Sequence, residues 1–440
     1  MIYYNIVVLI GGYAFLYGVC STRQYKFLFR PLQKAYMYAF TKPVIKLQYR
    51  FIKTWRRKYS GMVNKLKAFQ KQIPALLILF AVLLNITGRV WQGFTDFYVD
   101  HIFPLWVETY GRFTGLFPFS VGEWMLYLAV VLVFLLIIGG VVYAAFGKRL
   151  PGTLKTFYRK YVFFVYWVFG IVCVIMTLNC FLLYQARTVN VRFEIGGRAD
   201  KGYGSGEIAA LRDYVVENAN ALASVFERDE DGYLIYEEDL EQKAREEMKR
   251  LGERFDNLQG YYPSPKKLFL SGFYSQQYIM GYYFPFSMEA NYNGQMYITN
   301  MPVTMCHELS HLKGFMLEDE ANFIGYLACV DSEDPLFRYS AYLSVIGYLD
   351  RDFVKAIGED EEIYLSHPQI CDQVAEDKKF LTTEAWEQVE KKAVLKTETV
   401  RQAADTFLET TLTLNGVADG TISYSRVVKL LLQYYDGKLY

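Results

Sequence analysis

Two histidines and a glutamate in the second half of the chain have the spacing of a metal-binding motif. His307, Glu308 and His311 form His-Glu-x-x-His, although the whole chain holds only four histidines. Residues four apart on a helix lie on one face, so both imidazoles can bind one ion. Zinc prefers such ligands, and Glu308 could take a proton from a water on the metal. The alternative is two surface histidines on an amphipathic helix.

A catalytic zinc needs a third protein ligand, and the next segment offers two carboxylates. Gly314 is a natural stop for the motif helix. The apolar pattern of residues 323–328 predicts a second helix, and Glu318 and Glu320 lie near its start. Either glutamate could complete the site with a neutral pair of imidazoles. The alternative for each is the ordinary preference of acidic side chains for a helix N-terminus.

Four stretches without a charged residue predict membrane spans, at residues 1–22, 72–88, 124–147 and 161–186. A helix needs about 20 apolar residues to cross a bilayer, which the last two satisfy. The second is short but can be extended if Arg89 snorkels outward. The first is interpreted as a retained anchor, with a buried helix of a soluble domain as the alternative.

The charges are divided unequally along the chain. Residues 1–184 hold 21 Lys and Arg but only 4 Asp and Glu, whereas the whole chain has a net charge of +1. The basic residues cluster in the loops at 23–71 and 148–160, which the positive-inside rule places in the cytoplasm. Four spans then put everything after Arg187 outside. Beside membrane spans, the basic loops indicate contact with anionic lipid of the bilayer rather than with nucleic acid.

The last 250 or so residues are enough for one well-buried domain. Helical periodicity covers residues 207–226 and 237–255, and we expect a short edge strand at 295–299 beside the metal, with a surface hairpin as the alternative. Three regions are predicted: an anchor helix with a basic cytoplasmic loop (1–71), three transmembrane helices with a short outer loop (72–186), and an extracytoplasmic domain (187–440).

Other candidate residues are weaker. Residues 227–238 have the carboxylate spacing of a calcium loop but begin with glutamate, so a solvated turn is the alternative. His367 could stabilise an oxyanion, or simply belong to a capped loop. Glu289 and Asn291 could face the cleft.

The run from His307 to Asn322 resembles the gluzincin-type zinc metallopeptidases, including the membrane-bound CAAX-prenyl endopeptidase and heat-shock protease families. That resemblance implies Glu318 as the third ligand and Asn322 as a residue beside the ligands, where those families have aspartate. Only seven residues separate His311 from Glu318, far fewer than in those families. The resemblance therefore leaves Glu320 open as the ligand.

From about Gln72 onward, several segments in order resemble the DUF3810 family of uncharacterised bacterial membrane proteins. These segments are "FTGLFPFSVGEWMLYLAV", "GYYFPFSMEANYN", "HELSHLKGFMLEDEANFIGYLAC" and "NGVADGTISYSRVVKLLL". The resemblance implies an extracytoplasmic zincin-like domain but no assigned activity.

The expected fold is therefore a multi-pass α-helical membrane region followed by a mainly α-helical (α+β), zincin-like metallopeptidase domain. The expected function is a zinc metallopeptidase of the cell membrane, with Zn²⁺ as cofactor, Glu308 as the catalytic residue and an unknown peptide or protein as substrate. The alternative is a non-catalytic envelope sensor or assembly protein with a structural metal.

Overall fold

A computed structural model of the protein describes residues 42–195, 202–414 and 424–440. The predicted first anchor at residues 1–22 lies outside the described residues. The chain divides into compact units at Ile73, and the candidate site and its supports belong to the unit Pro74–Tyr440.

Three helices are long and apolar enough to cross a membrane: Phe69–Val90, Val121–Phe146 and Gly152–Gln185. They confirm the three predicted spans that the structure describes. Helices form here because a charge-free chain in lipid must satisfy every backbone polar group within the segment itself. The Ser120 hydroxyl accepts a hydrogen bond from the amide of Glu123 and so caps the second of these helices.

The α-helices of the described residues are numbered in chain order. They are α1 (Lys42–Val90), α2 (Gln92–Phe97), α3 (Phe103–Trp106), α4 (Arg112–Thr114), α5 (Val121–Phe146), α6 (Gly152–Met176), α7 (Val189–Arg192), α8 (Ser205–Ala223), α9 (Leu240–Gly252), α10 (Ser271–Gln276), α11 (Met301–His311), α12 (Glu318–Val330), α13 (Pro335–Ala356), α14 (Glu361–Ser366), α15 (Asp372–Asp377), α16 (Thr383–Lys392), α17 (Thr397–Leu414) and α18 (Tyr424–Tyr435). Two π-helical segments, Tyr98–Ile102 and Val107–Gly111, lie between α2 and α4, and another, Thr177–Phe181, follows α6.

A small sheet lies between α9 and α11 in the sequence. Its strands are β1 (Lys266–Lys267), β2 (Gly281–Phe284) and β3 (Glu289–Tyr292), in the spatial order β1-β3-β2. Strand β3 pairs in parallel with β1 and antiparallel with β2, so β2 is an edge strand. The expected strand at residues 295–299 is wrong: these residues form a turn and the start of a 3₁₀ helix.

One hydrophobic core joins the segments next to the apolar helices to the rest of the protein. It includes Val99 and Phe103 before α5, Leu182 after α6, and Leu309 and Phe315 around the motif helix. The domain that begins at residue 187, which we call the C-terminal domain, therefore shares its core with residues that precede it. Within this core, α12 is almost entirely buried against α11.

Candidate metal centre

Helix α11 holds the His-Glu-x-x-His motif as predicted. It begins with Pro302 in its first turn, where the missing amide hydrogen costs nothing, and it ends at His311. Gly314 then adopts a left-handed φ of +82°, and a Cβ there would approach the Val99 side chain to 2.7 Å. A glycine is needed here for both reasons, and it returns the chain sharply toward α12.

Three predicted ligands meet between α11 and α12. Ligand atoms of His307, His311 and Glu318 all lie within 4.8 Å of one another, and His307 Nε2 is 3.1 Å from Glu318 Oε2. The two imidazole rings are perpendicular, with centroids 4.9 Å apart. Among the residues that the structure describes, this is the one such group of three or more His, Cys, Asp or Glu side chains.

Both imidazoles are tethered through the ring nitrogen that does not face the cluster. His311 Nδ1 donates to the backbone carbonyl of Phe315 at 2.6 Å, and His307 Nδ1 lies 2.9 Å from Oδ1 of Asn322. A carbonyl accepts only, so His311 carries its proton on Nδ1 and keeps the Nε2 lone pair free. Such tethers fix the tautomer and orientation of metal-binding histidines.

Glu308 lies beside the cluster but is not one of its three members. The side chain is buried, with one oxygen 4.0 Å from His307 Nε2, and Oε1 lies against strand β2, 2.8 Å from where a Cβ of Gly281 would be. Its Oε2 has no hydrogen-bond partner. A buried carboxylate oxygen without a partner is costly, so it marks a place where another polar group is expected.

The charges of the metal-free cluster are coupled. Burial alone would lower the pKa of His307, but the Glu318 carboxylate raises it to about 9. Loss of water opposes ionisation of Glu318, but His307 lowers the pKa of this carboxyl to about 2. At neutral pH these two groups therefore form an ion pair. Burial, aided by the charge on His307, lowers the pKa of His311 to about 4, and burial raises the pKa of Glu308 to about 8.

The structure separates the two candidate third ligands. Glu318 points at the histidines, whereas Glu320 is buried and accepts a hydrogen bond of 2.9 Å from the backbone amide of Val189. Burial raises the pKa of Glu320 to about 7. The geometry therefore favours Glu318. Asn322, predicted to lie beside the ligands, contacts His307 from the next turn of α12.

Two further residues predicted to face the cleft have hydrogen-bond partners outside the ligand cluster. Glu289 does not face the motif: it pairs with Lys266 at 2.5 Å and accepts hydrogen bonds from the amides of Val121 and Gly122. Asn291 donates to backbone carbonyls within its own hairpin.

The oxyanion and calcium hypotheses gain no geometric support. His367 is paired with Asp213 at 2.6 Å on α8 and is not a member of the cluster. The calcium-like segment is a tight turn in which Asp229 accepts hydrogen bonds from the amides of Asp231 and Tyr233.

Sequence reasoning missed two residues that shape the centre, Tyr283 and Phe315. Both act through backbone groups: the backbone of Tyr283 lowers the pKa of the Glu308 carboxyl, and the carbonyl of Phe315 accepts from His311. A contact through the backbone does not depend on the type of side chain, so the spacing of residue types along the chain carried no signal for Tyr283 or Phe315.

The residues fit a zinc ion. On a tetrahedral zinc with bonds of about 2.0–2.1 Å, neighbouring ligand atoms stand roughly 3.4 Å apart. The 3.1 Å separation of His307 and Glu318 is close to that value, and two imidazoles with one carboxylate are a usual donor set for catalytic zinc.

Comparison with known proteins gives one family. The family described as "Protein of unknown function (DUF3810)" matches residues 98–432. The match begins after the first apolar helix, later than the expected start near Gln72. No curated protein and no solved structure matches the chain. Since the match covers most of its length, the chain belongs to the DUF3810 family.

Proposed function

We propose that the protein is a membrane-anchored, zinc-dependent metallopeptidase that hydrolyses peptide bonds on the extracytoplasmic side of the cell membrane. The observation that carries this proposal is the convergence of His307, His311 and Glu318 beside Glu308, which has an unpartnered oxygen. A zincin-like arrangement of the domain belongs to the same proposal.

A bound zinc ion would supply Lewis acidity and lower the pKa of a water molecule. The side chains and backbone of the protein position the ligands and transfer the proton. Asn322 and Phe315 hold the two rings so that each Nε2 stays available. Strand β2 packs at Gly281 against Oε1 of Glu308, and the unpartnered Oε2 of Glu308 would accept a proton from the attacking water and return it to the leaving amine.

The number of protein ligands argues for catalysis over a purely structural metal. The alternative, a non-catalytic envelope sensor or assembly protein, calls for a site closed by a fourth protein ligand. In the described part of the chain the ligand group has three members, and the nearest cysteine in sequence, Cys306, turns its thiol toward Cys329 instead. An open fourth position suits a water and a substrate carbonyl.

The side of the membrane follows from charge. The basic segments at 23–71 and 148–160 precede and follow the first two apolar helices, so alternating spans put both on the side opposite the C-terminal domain, and Lys- and Arg-rich segments remain cytoplasmic. The structure describes residues 42–71 as part of α1 and residues 152–160 as part of α6, so these stretches are helical and do not form the predicted loops. The lipid bilayer is thus one partner, and a peptide or protein substrate outside is the other.

The test compares Glu308→Gln with Glu320→Gln in the full-length protein. A library of unstructured peptides serves as substrate, mass spectrometry identifies new termini, and elemental analysis measures bound metal. We expect Glu308→Gln to keep its metal and to lose on the order of a hundredfold or more in turnover. Glu320→Gln, outside the centre, should stay active. Full activity in Glu308→Gln would remove the proposed mechanism.

A further inference from the structure

The candidate centre stands directly on the ends of two apolar helices. Strand β2 makes the connection: a Cβ at Gly281 would lie 2.8 Å from Oε1 of Glu308, and the phenol of Tyr283, two residues on, donates to the backbone carbonyl of Asn179 at 3.1 Å. Asn179 lies in the last turns of the apolar helix Gly152–Gln185, and its side chain donates to the carbonyl of Pro285 at 2.8 Å. Strand β2 therefore lies between the proposed catalytic glutamate and this helix.

The other helix end is held by the same hairpin. Phe284 follows Tyr283, about 3.3 Å further along β2, and its ring lies against Gly122, where a Cβ would clash with it. The Glu289 carboxylate of β3 accepts hydrogen bonds from the amides of Val121 and Gly122, at 3.2 and 2.7 Å. The sheet thus caps the first turn of α5 with a buried carboxylate, which suits the positive end of the helix dipole.

The contact is reciprocal. Glu123, in the first turn of α5, accepts hydrogen bonds from the amides of Phe269 and Leu270, at 2.7 and 2.9 Å. Those residues immediately precede α10 of the C-terminal domain. The carboxylates of Glu289, from the sheet, and Glu123, from α5, therefore fix the position of the C-terminal domain along the axis of α5.

The length of α5 limits how far this part of the C-terminal domain can lie from the bilayer. Helix α5 has 26 residues, about 39 Å of helix, against a hydrocarbon core of about 30 Å. Its first turn can therefore stand no more than roughly 9 Å above the hydrocarbon. Trp124, 54% exposed in that turn, is a residue type that favours the interface. Adding the short step along β2, we place Glu308 within about 20 Å of the hydrocarbon.

An exposed apolar surface surrounds this helix end. Phe269 is 77% exposed although its amide binds Glu123 in the first turn of α5, and Phe273, four residues on, is 49% exposed. Apolar side chains of the segment before α5 are exposed as well. We call these residues the membrane-facing collar: Leu105, Trp106, Phe113, Leu116, Phe119, Phe269, Leu270 and Phe273. The collar is continuous with an apolar helix, so a lipid surface is the partner that fits it.

The most exposed of the three ligands lies near the end of one of these apolar helices. Among the three ligands, the Glu318 side chain is the most exposed, at 40%, whereas the His307 side chain is 12% exposed. Glu318 lies within electrostatic range of Cys180 and Tyr184, at the end of the apolar helix that Asn179 belongs to. A substrate that enters past Glu318 therefore passes the helix end.

We infer that the centre acts on polypeptides that are themselves anchored in the membrane, and that it cuts them within about six residues of the edge of the hydrocarbon core. Six extended residues span about 20 Å, which is the upper limit found above for the distance from the hydrocarbon to Glu308. The inference rests on the proposed peptidase function and adds its substrate class. An anchored segment is held near the site at high effective concentration, whereas a soluble chain must diffuse to it.

The experiment uses the full-length protein in vesicles of phosphatidylcholine and phosphatidylglycerol. One library of randomised twelve-residue segments carries a transmembrane helix and is reconstituted into the same vesicles; the matched library is free in solution. Mass spectrometry locates new termini, with Glu308→Gln as the blank. We expect at least tenfold more cleavage of the anchored library at equal bulk concentration, with cuts within six residues of the anchor.

The outcomes are distinguishable. Equal cleavage of the free library, or cuts spread evenly along the anchored segments, would overturn the inference and leave the peptidase proposal intact. Cleavage of neither library by the metal-loaded protein would remove both.

A second measurement tests the collar without relying on activity. In Phe269→Trp the added fluorescence should be quenched by lipids brominated near the headgroup. Ile235→Trp is the control, because Ile235 is also exposed, at 44%, but is not part of the collar. The amide of its neighbour Leu234 donates to the phenol of Tyr297, which precedes the start of α11, whereas His311 ends that helix. Equal quenching at both positions, or none at Phe269→Trp, would contradict the placement of the collar in lipid.

Discussion

Each histidine of the motif has one ring nitrogen held by the protein and the other turned toward Glu318. At neutral pH the metal-free centre keeps a proton on His307, because the Glu318 carboxylate raises the pKa of that imidazole to about 9. His311, with a pKa lowered to about 4 by burial, is already neutral. A metal ion must therefore displace the His307 proton before it can bind.

Zinc binding should consequently release about one proton from His307 at pH 7. Below the His307 pKa of about 9, the apparent affinity should rise about tenfold per pH unit, and above it the rise should level off. Isothermal titration calorimetry in buffers of different ionisation enthalpy measures this release. Heats that do not depend on the buffer, or an affinity that is flat between pH 6 and 9, would contradict a protonated His307.

Asn322 is expected to act through His307. Asn322→Leu removes the acceptor for the ring Nδ1 while keeping a similar volume, so zinc affinity should fall about 10–100-fold. Asn322→Asp restores an acceptor and should recover most of the affinity. Chelator competition gives both values. If the leucine and aspartate variants weaken zinc binding equally, the hydrogen bond between residue 322 and His307 does not determine zinc affinity.

At the level of elements, the centre depends on how closely α12 packs on α11. Gly325 on α12 lies against the backbone of α11: a Cβ there would lie 3.0 Å from the carbonyl oxygen of Val303 and 3.3 Å from the amide nitrogen of His307. Backbone atoms cannot move aside as the end of a flexible side chain can. The glycine therefore sets the distance between the helix of Glu318 and that of the histidines.

Gly325→Ala and Gly347→Ala form a matched pair. Gly347 lies on the exposed face of α13 with nothing within 4 Å of a Cβ, so alanine there should stabilise by about 0.5–1 kcal/mol. Gly325→Ala should instead destabilise by about 1–3 kcal/mol and weaken zinc binding. Thermal unfolding in detergent compares the two. Equal shifts in Tm would show that helix spacing at Gly325 is not constrained.

Sequence reasoning succeeded where the determinant is local. The position of α11, the stop at Gly314 and the three described charge-free runs depend on neighbouring residues; the first two are confirmed, and each run lies in a helix long and apolar enough to cross a membrane. The choice between Glu318 and Glu320 was not local, because it depends on Val189, 131 positions away. The strand expected at 295–299 failed because the chain turns at Asn293, whose side chain accepts from the amide of Gln295; Asn293-Gly294 was an available turn signal.

At the level of the whole molecule, the segments next to the apolar helices share one hydrophobic core with the C-terminal domain. Val99, Phe103 and Leu182 belong to the same core as Phe315, whose carbonyl holds His311. The metal centre is thus built partly on residues that precede position 187. Its geometry should not survive removal of those residues.

A fragment of residues 187–440 tests this directly. Without the segments that cover Phe315 and Gly314, we expect it to aggregate or to lack cooperative unfolding, and to lose stoichiometric zinc binding. Size-exclusion chromatography, circular dichroism and elemental analysis compare it with the full-length protein in the same detergent. A monomeric fragment with a sharp unfolding transition and one bound zinc would show that the domain folds alone.

The most direct measurement of the central claim is the zinc content of the purified full-length protein and four variants. We expect about one zinc per chain in the wild type and in Glu320→Gln, and a loss of bound zinc in His307→Ala, His311→Ala and Glu318→Ala. A wild-type protein that takes up no zinc would contradict the proposed centre. So would loss of zinc in Glu320→Gln with retention in Glu318→Ala.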